Sequence, residues 1–286
     1  MNLTTSVTRL ALTVLSTGAF TLAALPLCIS AELSADKPVG VKKPGISANA
    51  ILARSAETYR VAETYVDNGI SITTIQRANG AKLQLVFEFH TAFERAKAFR
   101  FAFRKNAFNL GFEAPYVVWH EGKQTMTNTG QKRGFVPVKS IGTAIAMLTG
   151  VSSGTSHNIP SLLMPGEIGG KRILSLAKMS PIKKKVLNNR DCYVLEGISG
   201  TRQTTLWIDK ESQLILRIDE AYTLDGEFRN KTTSYDPAIN RDVPNVSFAK
   251  KLPNEWKHTK NTNRPDNPEN LTDENTGRVA PAVPAD

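Results

Sequence analysis

Alternation constrains this chain more than any other feature. Leu83, Leu85, Phe87 and Phe89 occupy every second position, opposite Gln84, Val86, Glu88 and His90, and Phe99, Phe101 and Phe103 repeat the pattern shortly after. A period of two sends successive side chains to opposite faces of a strand. A helix over 92–104 would also accommodate Phe93, Ala96, Phe99 and Phe103. Three aromatics at i, i+2 and i+4 would wrap around that helix, whereas they line one face of a sheet, so a strand over 99–104 is preferred. If the two strands turn near residue 94, Phe89 lies opposite Phe99, Phe87 opposite Phe101 and Glu88 opposite Arg100.

Similar signals fill most of the chain. The β-branched run at 70–75 leads to the turn pair Asn79-Gly80, and 116–120 and 123–127 form a hairpin around Glu121-Gly122. Further strands are expected at 173–176, 182–187, 192–198, 204–209, 214–219 and 227–235. Helical spacing appears in two places. Ile51, Leu52, Ser55, Tyr59, Ala62 and Val66 make one stripe, with Asn68-Gly69 as its stop. Ile141, Ala144, Ile145 and Leu148 make another, ended by Gly150, before a proline-bounded apolar stretch at 159–165 that reads as a short helix or lid. The fold class expected is α+β, mostly antiparallel β.

The two ends differ from this body. Residues 1–31 carry one charge, Arg9, and are apolar from 10 to 31, which reads as a secretory signal peptide. An uncleaved anchor and lipidation at Cys28 are the other readings of that segment. Residues 32–45, with Pro38, Gly40, Pro44 and Gly45, read as a flexible leader, and 46–253 as the folded domain. Residues 254–286 hold four Lys/Arg, six Asp/Glu and few apolar groups, and read as a disordered polar tail. Without the signal, Cys192 is the sole cysteine, so the domain must hold through its core; in its apolar run Cys192 reads as a small buried hydrophobe. The chain's formal charge of +10 is concentrated before the tail. In an exported protein this favours an anionic membrane surface or an acidic envelope partner. Nucleic acid is not expected, because the basic residues are scattered and no binding motif accompanies them. The run Lys183-Lys184-Lys185 reads as a solvated face or edge guard.

No residue pattern points to catalysis. Gly150-Val151-Ser152-Ser153-Gly154 matches the G-x-S-x-G nucleophile elbow in letters, but it follows a helical stripe where the elbow needs a strand. His90, His120, His157 and His258 are dispersed, and neither a metal motif nor a phosphate or dinucleotide loop is present. Neither a cofactor nor a metal is expected. What stands out is apolar surface: Phe87, Phe89, Phe99, Phe101 and Phe103 on adjacent strands, with Trp119 and Trp207 in other hairpins. In a closed sandwich these seven are core. Under mobile helices on a curved sheet they line a cavity that holds an acyl chain.

The order of elements, with the hairpin Leu206-Trp207-Ile208-Asp209 / Leu214-Ile215-Leu216-Arg217 and the Pro-Leu-rich stretch before a strand pair at 182–198, resembles the periplasmic lipoprotein-carrier superfamily, LolA and LppX in type. Within it the chain looks most like a branch of periplasmic proteins without an assigned role. The resemblance spans roughly residues 46–250. It implies a curved half-barrel sheet whose concave face is covered by the N-terminal helix and the mid-chain helical insertion. It also implies a monomer in the bacterial periplasm that binds a lipid acyl chain or a lipidated protein without chemistry. In carriers of this type a particular arginine latches the lid, and no equivalent can be placed in this sequence. The alternative is an envelope interaction or sensor module with a filled core and no lipid ligand, as in a periplasmic sigma-factor regulator of the same superfamily.

Overall fold

A computed structural model describes residues 45–250, apart from 109, 130–133 and 171. The signal segment, the leader up to residue 44 and the tail 254–286 lie outside the described residues. The first element, α1 (Ala48–Val61), starts where Ser47 caps it by accepting the Ala50 N–H at 3.2 Å. Its buried stripe is Ile51, Leu52, Ser55 and Tyr59. The helix ends at Ala62, not at the expected Asn68-Gly69, because the next strand, β1 (Thr64–Gln76), has already begun. Gly69 therefore lies inside a strand, where the Phe89 ring occupies the space that a Cβ would need.

From β1 the chain runs through β2 (Lys82–Glu94), β3 (Ala98–Ala107), β4 (Tyr116–Glu121), β5 (Gln124–Thr129) and the two-residue β6 (Val136–Pro137). Three helices follow, α2 (Ile141–Thr149), α3 (Thr155–Asn158) and α4 (Pro160–Leu163). A second series then comprises β7 (Lys183–Leu187), β8 (Arg190–Ser199), β9 (Arg202–Asp209), β10 (Ile215–Leu224) and β11 (Glu227–Ile239), ending in a 3-10 turn at Asn245–Phe248. Among the described residues, all eleven strands join one open antiparallel sheet in the order β6-β5-β4-β3-β2-β1-β11-β10-β9-β8-β7. The strand series thus starts mid-sheet with β1, walks to one edge, crosses through the helices, and returns from the other edge until β11 pairs with β1. This is the mostly antiparallel α+β class that the alternation predicts.

Two expectations need correction. In the β2–β3 hairpin, Phe89 faces Phe103, Phe93 faces Phe99 and Glu88 faces Arg104. The turn falls at 95–97, where Ala96 takes φ 55, two residues later than expected. The slip is an even number of residues, so every side chain keeps its expected face. The expected strand at 173–176 does not form either: Ser175 closes a turn onto the Arg172 carbonyl, and Ile173 and Leu174 are both buried. Two adjacent residues pointing inward cannot belong to one alternating strand.

One large apolar cluster joins the helices to one face of the sheet, here called the inner face. Tyr59 fastens α1 there by accepting the Ile215 N–H at 3.0 Å.

Candidate functional site

The floor of this cluster is aromatic. Phe87 and Phe89 from β2 and Phe99, Phe101 and Phe103 from β3 are each at most 2% exposed. Alternation places all five on the inner face, and Phe87, Phe89, Phe101 and Phe103 meet side by side. Phe89 and Phe101 stack at 6.0 Å between centroids, Phe103 lies 6.0 Å from Phe101 and 6.1 Å from Phe87, and Tyr116 and Tyr235 extend the array at 4.7 Å from Phe103 and 5.4 Å from Phe89. Ile51 and Leu52 of α1, Ile145 and Leu148 of α2 and Leu162 and Leu163 of α4 belong to the same cluster. In this form the rings border one another and the helices.

The cover is less apolar than its floor. From the end of α2 into α4, Ser152, Thr155, Ser156, Asn158 and Ser161 are all buried. Ser152 Oγ accepts the Ser156 N–H at 3.1 Å, and Asn158 reaches the Tyr235 hydroxyl at 3.4 Å. Thr155 Oγ1 and Ser55 Oγ have no hydrogen-bond partner. Ser152 belongs to the G-x-S-x-G letters, and these form a helix-end loop: Gly150 caps α2, Gly154 takes φ 84, and His157 is turned to the Gly169 carbonyl at 2.8 Å.

Beside the floor lies a charged corner that the sequence reading missed. Lys231 on β11 is 1% exposed; its Nζ donates to the Ser153 carbonyl of the cover at 2.7 Å and lies 3.2 Å from Glu220 Oε2. Arg202 reaches the other Glu220 oxygen at 2.8 Å. Burial pulls the Lys231 ammonium below its ordinary pKa, with Glu220 offsetting part of that. Burial also pushes the Glu220 carboxyl upward, but Lys231 and Arg202 together hold it below the usual carboxylate range. Nearby, Arg229 (3.2 Å) and Arg77 (3.5 Å) share Glu227. A cation thus ties sheet to cover, although it is a lysine that no sequence pattern singled out. Arg229 and Lys231 alternate along β11 like a solvated strand face, and only the cover bonded to Lys231 through Ser153 reveals otherwise.

On the central strand β1, Asp67 is 1% exposed and accepts both the Tyr65 hydroxyl at 2.6 Å and the Thr91 N–H at 3.0 Å. Burial pushes its pKa up to about 6.

Trp119 and Trp207 do not join the phenylalanines. Each alternates with residues of the inner cluster, Val118 in one case and Leu206 and Ile208 in the other, and so points to the opposite face. Trp119 packs with Ala102 and Val117, donates to the Phe248 carbonyl at 2.8 Å and has Lys250 Nζ 3.9 Å from its ring centroid. Trp207 donates to Asp219 at 2.9 Å, with Arg217 and Lys185 beside its ring. On the Trp119 side Arg100 meets His90 at 3.3 Å, and burial, then Arg100, lowers the His90 pKa to about 4.

Cys192 is buried and free, and burial raises its thiol pKa. Among the described residues no group of three or more His, Cys, Asp and Glu is placed to hold a metal ion. No helix among them is long and apolar enough to cross a membrane.

No protein-family description matches the chain, and no curated protein matches it in sequence. Solved structures similar to it include LprF from Mycobacterium bovis, at 10% identity and a TM-score of 0.37, with 69% of this chain and 94% of that chain covered. A LolA superfamily protein from Nitrosomonas europaea is similar at 11% identity and a TM-score of 0.27, covering 72% and 98%. MucB of Pseudomonas aeruginosa, in its complex with MucA, is similar at 14% identity and a TM-score of 0.33, covering 71% of this chain and 60% of that one.

Proposed function

We propose that this is a non-catalytic binding protein of the bacterial periplasm, which takes the acyl chain of a lipid or lipidated protein between the phenylalanine floor and the helical cover. One observation carries the reading: an uninterrupted aromatic floor meets a cover whose middle is built of short helices and buried hydroxyls. A permanent lid gains about 25 cal/mol for each Å² of apolar contact, and a buried hydroxyl without a partner costs about 1–3 kcal/mol. Apart from Ile159 and Pro160, the stretch from Ser152 to Ser161 gives up contact of the first kind, and it carries a cost of the second at Thr155. Its apolar hold on the floor is therefore weaker than that of the flanking helices, and the Lys231 bond to Ser153 is the polar contact that lifting it must break. An alkyl chain placed under it meets Phe87, Phe89, Phe101 and Phe103 directly, with Phe99 in the same floor. Trp119 and Trp207, on the other face, take no part in the trough. The excess of basic residues suits delivery to or collection from an anionic membrane surface.

The close contact among the rings favours the second reading, an envelope interaction module whose core is permanently filled. Two measurements on the purified mature protein separate them: native mass spectrometry followed by solvent extraction, and titration with a fluorescent fatty-acid probe. Copurified acyl lipid, or saturable probe binding that Phe87→Ala weakens, is expected. A clean protein mass together with no probe binding would overturn the carrier in favour of the module.

A further inference from the structure

We infer that the charged corner on β9–β11 is a headgroup site: it holds the single anionic headgroup, carboxylate or phosphate, of an acyl amphiphile whose chain lies on the phenylalanine floor. The inference rests on the acyl-binding reading and adds the ligand's chemical class to it.

Register places the corner as one row across four strands, Thr73 of β1 beside Lys231 of β11, Glu220 of β10 and Thr204 of β9. The next row along the inner face pairs Phe87 of β2 with Ser71 of β1, and the row after that pairs Phe89 with Gly69. Rows two residues apart lie about 7 Å from each other along a strand, and neighbouring strands lie about 5 Å apart. A headgroup on Lys231 therefore leaves its first methylenes at the edge of the aromatic array. Nothing charged stands between them, since Ser71 and Thr233 fill that row and bond to each other at 2.9 Å.

The corner is short of anions. Arg202 and Lys231 share Glu220, and Arg77 and Arg229 share Glu227, so four cations divide two carboxylates. Three side-chain atoms there make no hydrogen bond: Thr73 Oγ1, on a residue 1% exposed, Arg229 Nε, and Glu220 Oε2, which meets Lys231 only as an ion pair at 3.2 Å. Thr155 Oγ1, two residues along from Ser153, is a fourth.

The Lys231 contact with Ser153 supplies the exchange. An ammonium has three N–H donors, and here one of them is satisfied only by a carbonyl of the cover. Lifting the cover removes that acceptor and leaves a buried cation under-coordinated, which a closed core avoids and an open one must repair. An anionic oxygen arriving with the ligand takes the vacated position and brings the full negative charge that the carbonyl lacked. Headgroup and cover thus compete for the same ammonium. A neutral amphiphile has no such compensation.

The test compares ligands of one chain length and different heads, palmitate and hexadecanol, titrated below their aggregation limits into the intact mature protein, Lys231→Met and Arg229→Gln. Wild type is expected to prefer palmitate by about tenfold or more, the equivalent of one strong polar contact. Both variants should lose most of that preference while keeping their affinity for hexadecanol. Arg229→Gln, at a partly exposed position, keeps the test decisive where Lys231→Met fails to fold. Equal affinities of the wild type for both ligands, or a preference that survives in Arg229→Gln, would overturn the headgroup site alone. Binding of neither ligand would overturn the acyl-binding reading together with it. Inorganic phosphate at matched ionic strength is the last arm: failure to compete with palmitate supports an amphiphile site, and full competition would overturn it in favour of a free-anion site.

Discussion

On the β2–β3 side of the sheet the buried inner face presents Phe87, Phe89, Phe93, Phe99, Phe101 and Phe103. On the β9–β11 side the same face presents Arg202, Glu220, Arg229 and Lys231 among Thr204, Leu206 and Ile218. Both stretches alternate with period two and both lie toward the helices. They are stabilised differently. The rings stabilise by area and shape, so each is worth what its lost contacts would cost. The charges contribute little net stability, because removing them from water cancels most of their mutual attraction, and what they require is partners. One half is a surface for a chain and the other a place for a counter-charge.

The largest effect that sharpens this comparison is expected from Phe101→Ala. A ring 1% exposed and touching two other rings should cost about 3–5 kcal/mol on truncation, measured by denaturant unfolding. A loss below about 1 kcal/mol would mean that the floor is not packed in solution and that the two halves do not differ in this way.

The pH dependence of stability probes the centre of the sheet. Asp67, with its folded pKa raised from 3.8 to about 6, binds more protons folded than unfolded. Its contribution is full below about pH 4 and is lost as pH rises through 6. His90, with its folded pKa lowered from 6.5 to about 4, contributes above pH 6.5 and loses that contribution as pH falls toward 4. Each is worth about 3 kcal/mol at full extent, and the two oppose each other across one window. Asp67→Asn should therefore lose about 3 kcal/mol on acidification from pH 6.5 to 4, and His90→Gln should gain about as much. Identical pH profiles for the two variants would contradict the burial of both groups.

Gly69→Ala tests how tightly the aromatic half is built. The added methyl overlaps the Phe89 ring, and overpacking of this kind costs about 1–3 kcal/mol. Adding Phe89→Leu should recover part of the loss. Absence of any cost would show that the ring has room to move.

The smallest effect belongs to the charged half. Lys231→Met leaves Glu220 paired with Arg202 and should cost about 1–2 kcal/mol, chiefly through the lost bond to the Ser153 carbonyl. A cost above that of Phe101→Ala would reverse the comparison and make the ion pairs, rather than the rings, the main support of the sheet.

Period-two spacing by itself determined most of the strands, the face that Phe87, Phe89, Phe99, Phe101 and Phe103 take, and, with its turn residues, the hairpin at Glu121-Gly122. All of these depend on residues a few positions apart. The same local reading misplaced the β2–β3 turn by two residues, because Ala96 takes a left-handed turn conformation without the glycine or asparagine that usually announces one. It ended α1 too late for a related reason: Asn68-Gly69 looks like a stop signal, and only the Phe89 ring lying over Gly69 explains a glycine inside a strand. The pairing of β1 with β11, the side of the sheet to which Trp119 and Trp207 turn, and the burial of Lys231 beneath Ser153 were decided by tertiary structure alone. Each joins segments far apart in the chain, and alternation says which residues share a face without saying which face is covered or by what.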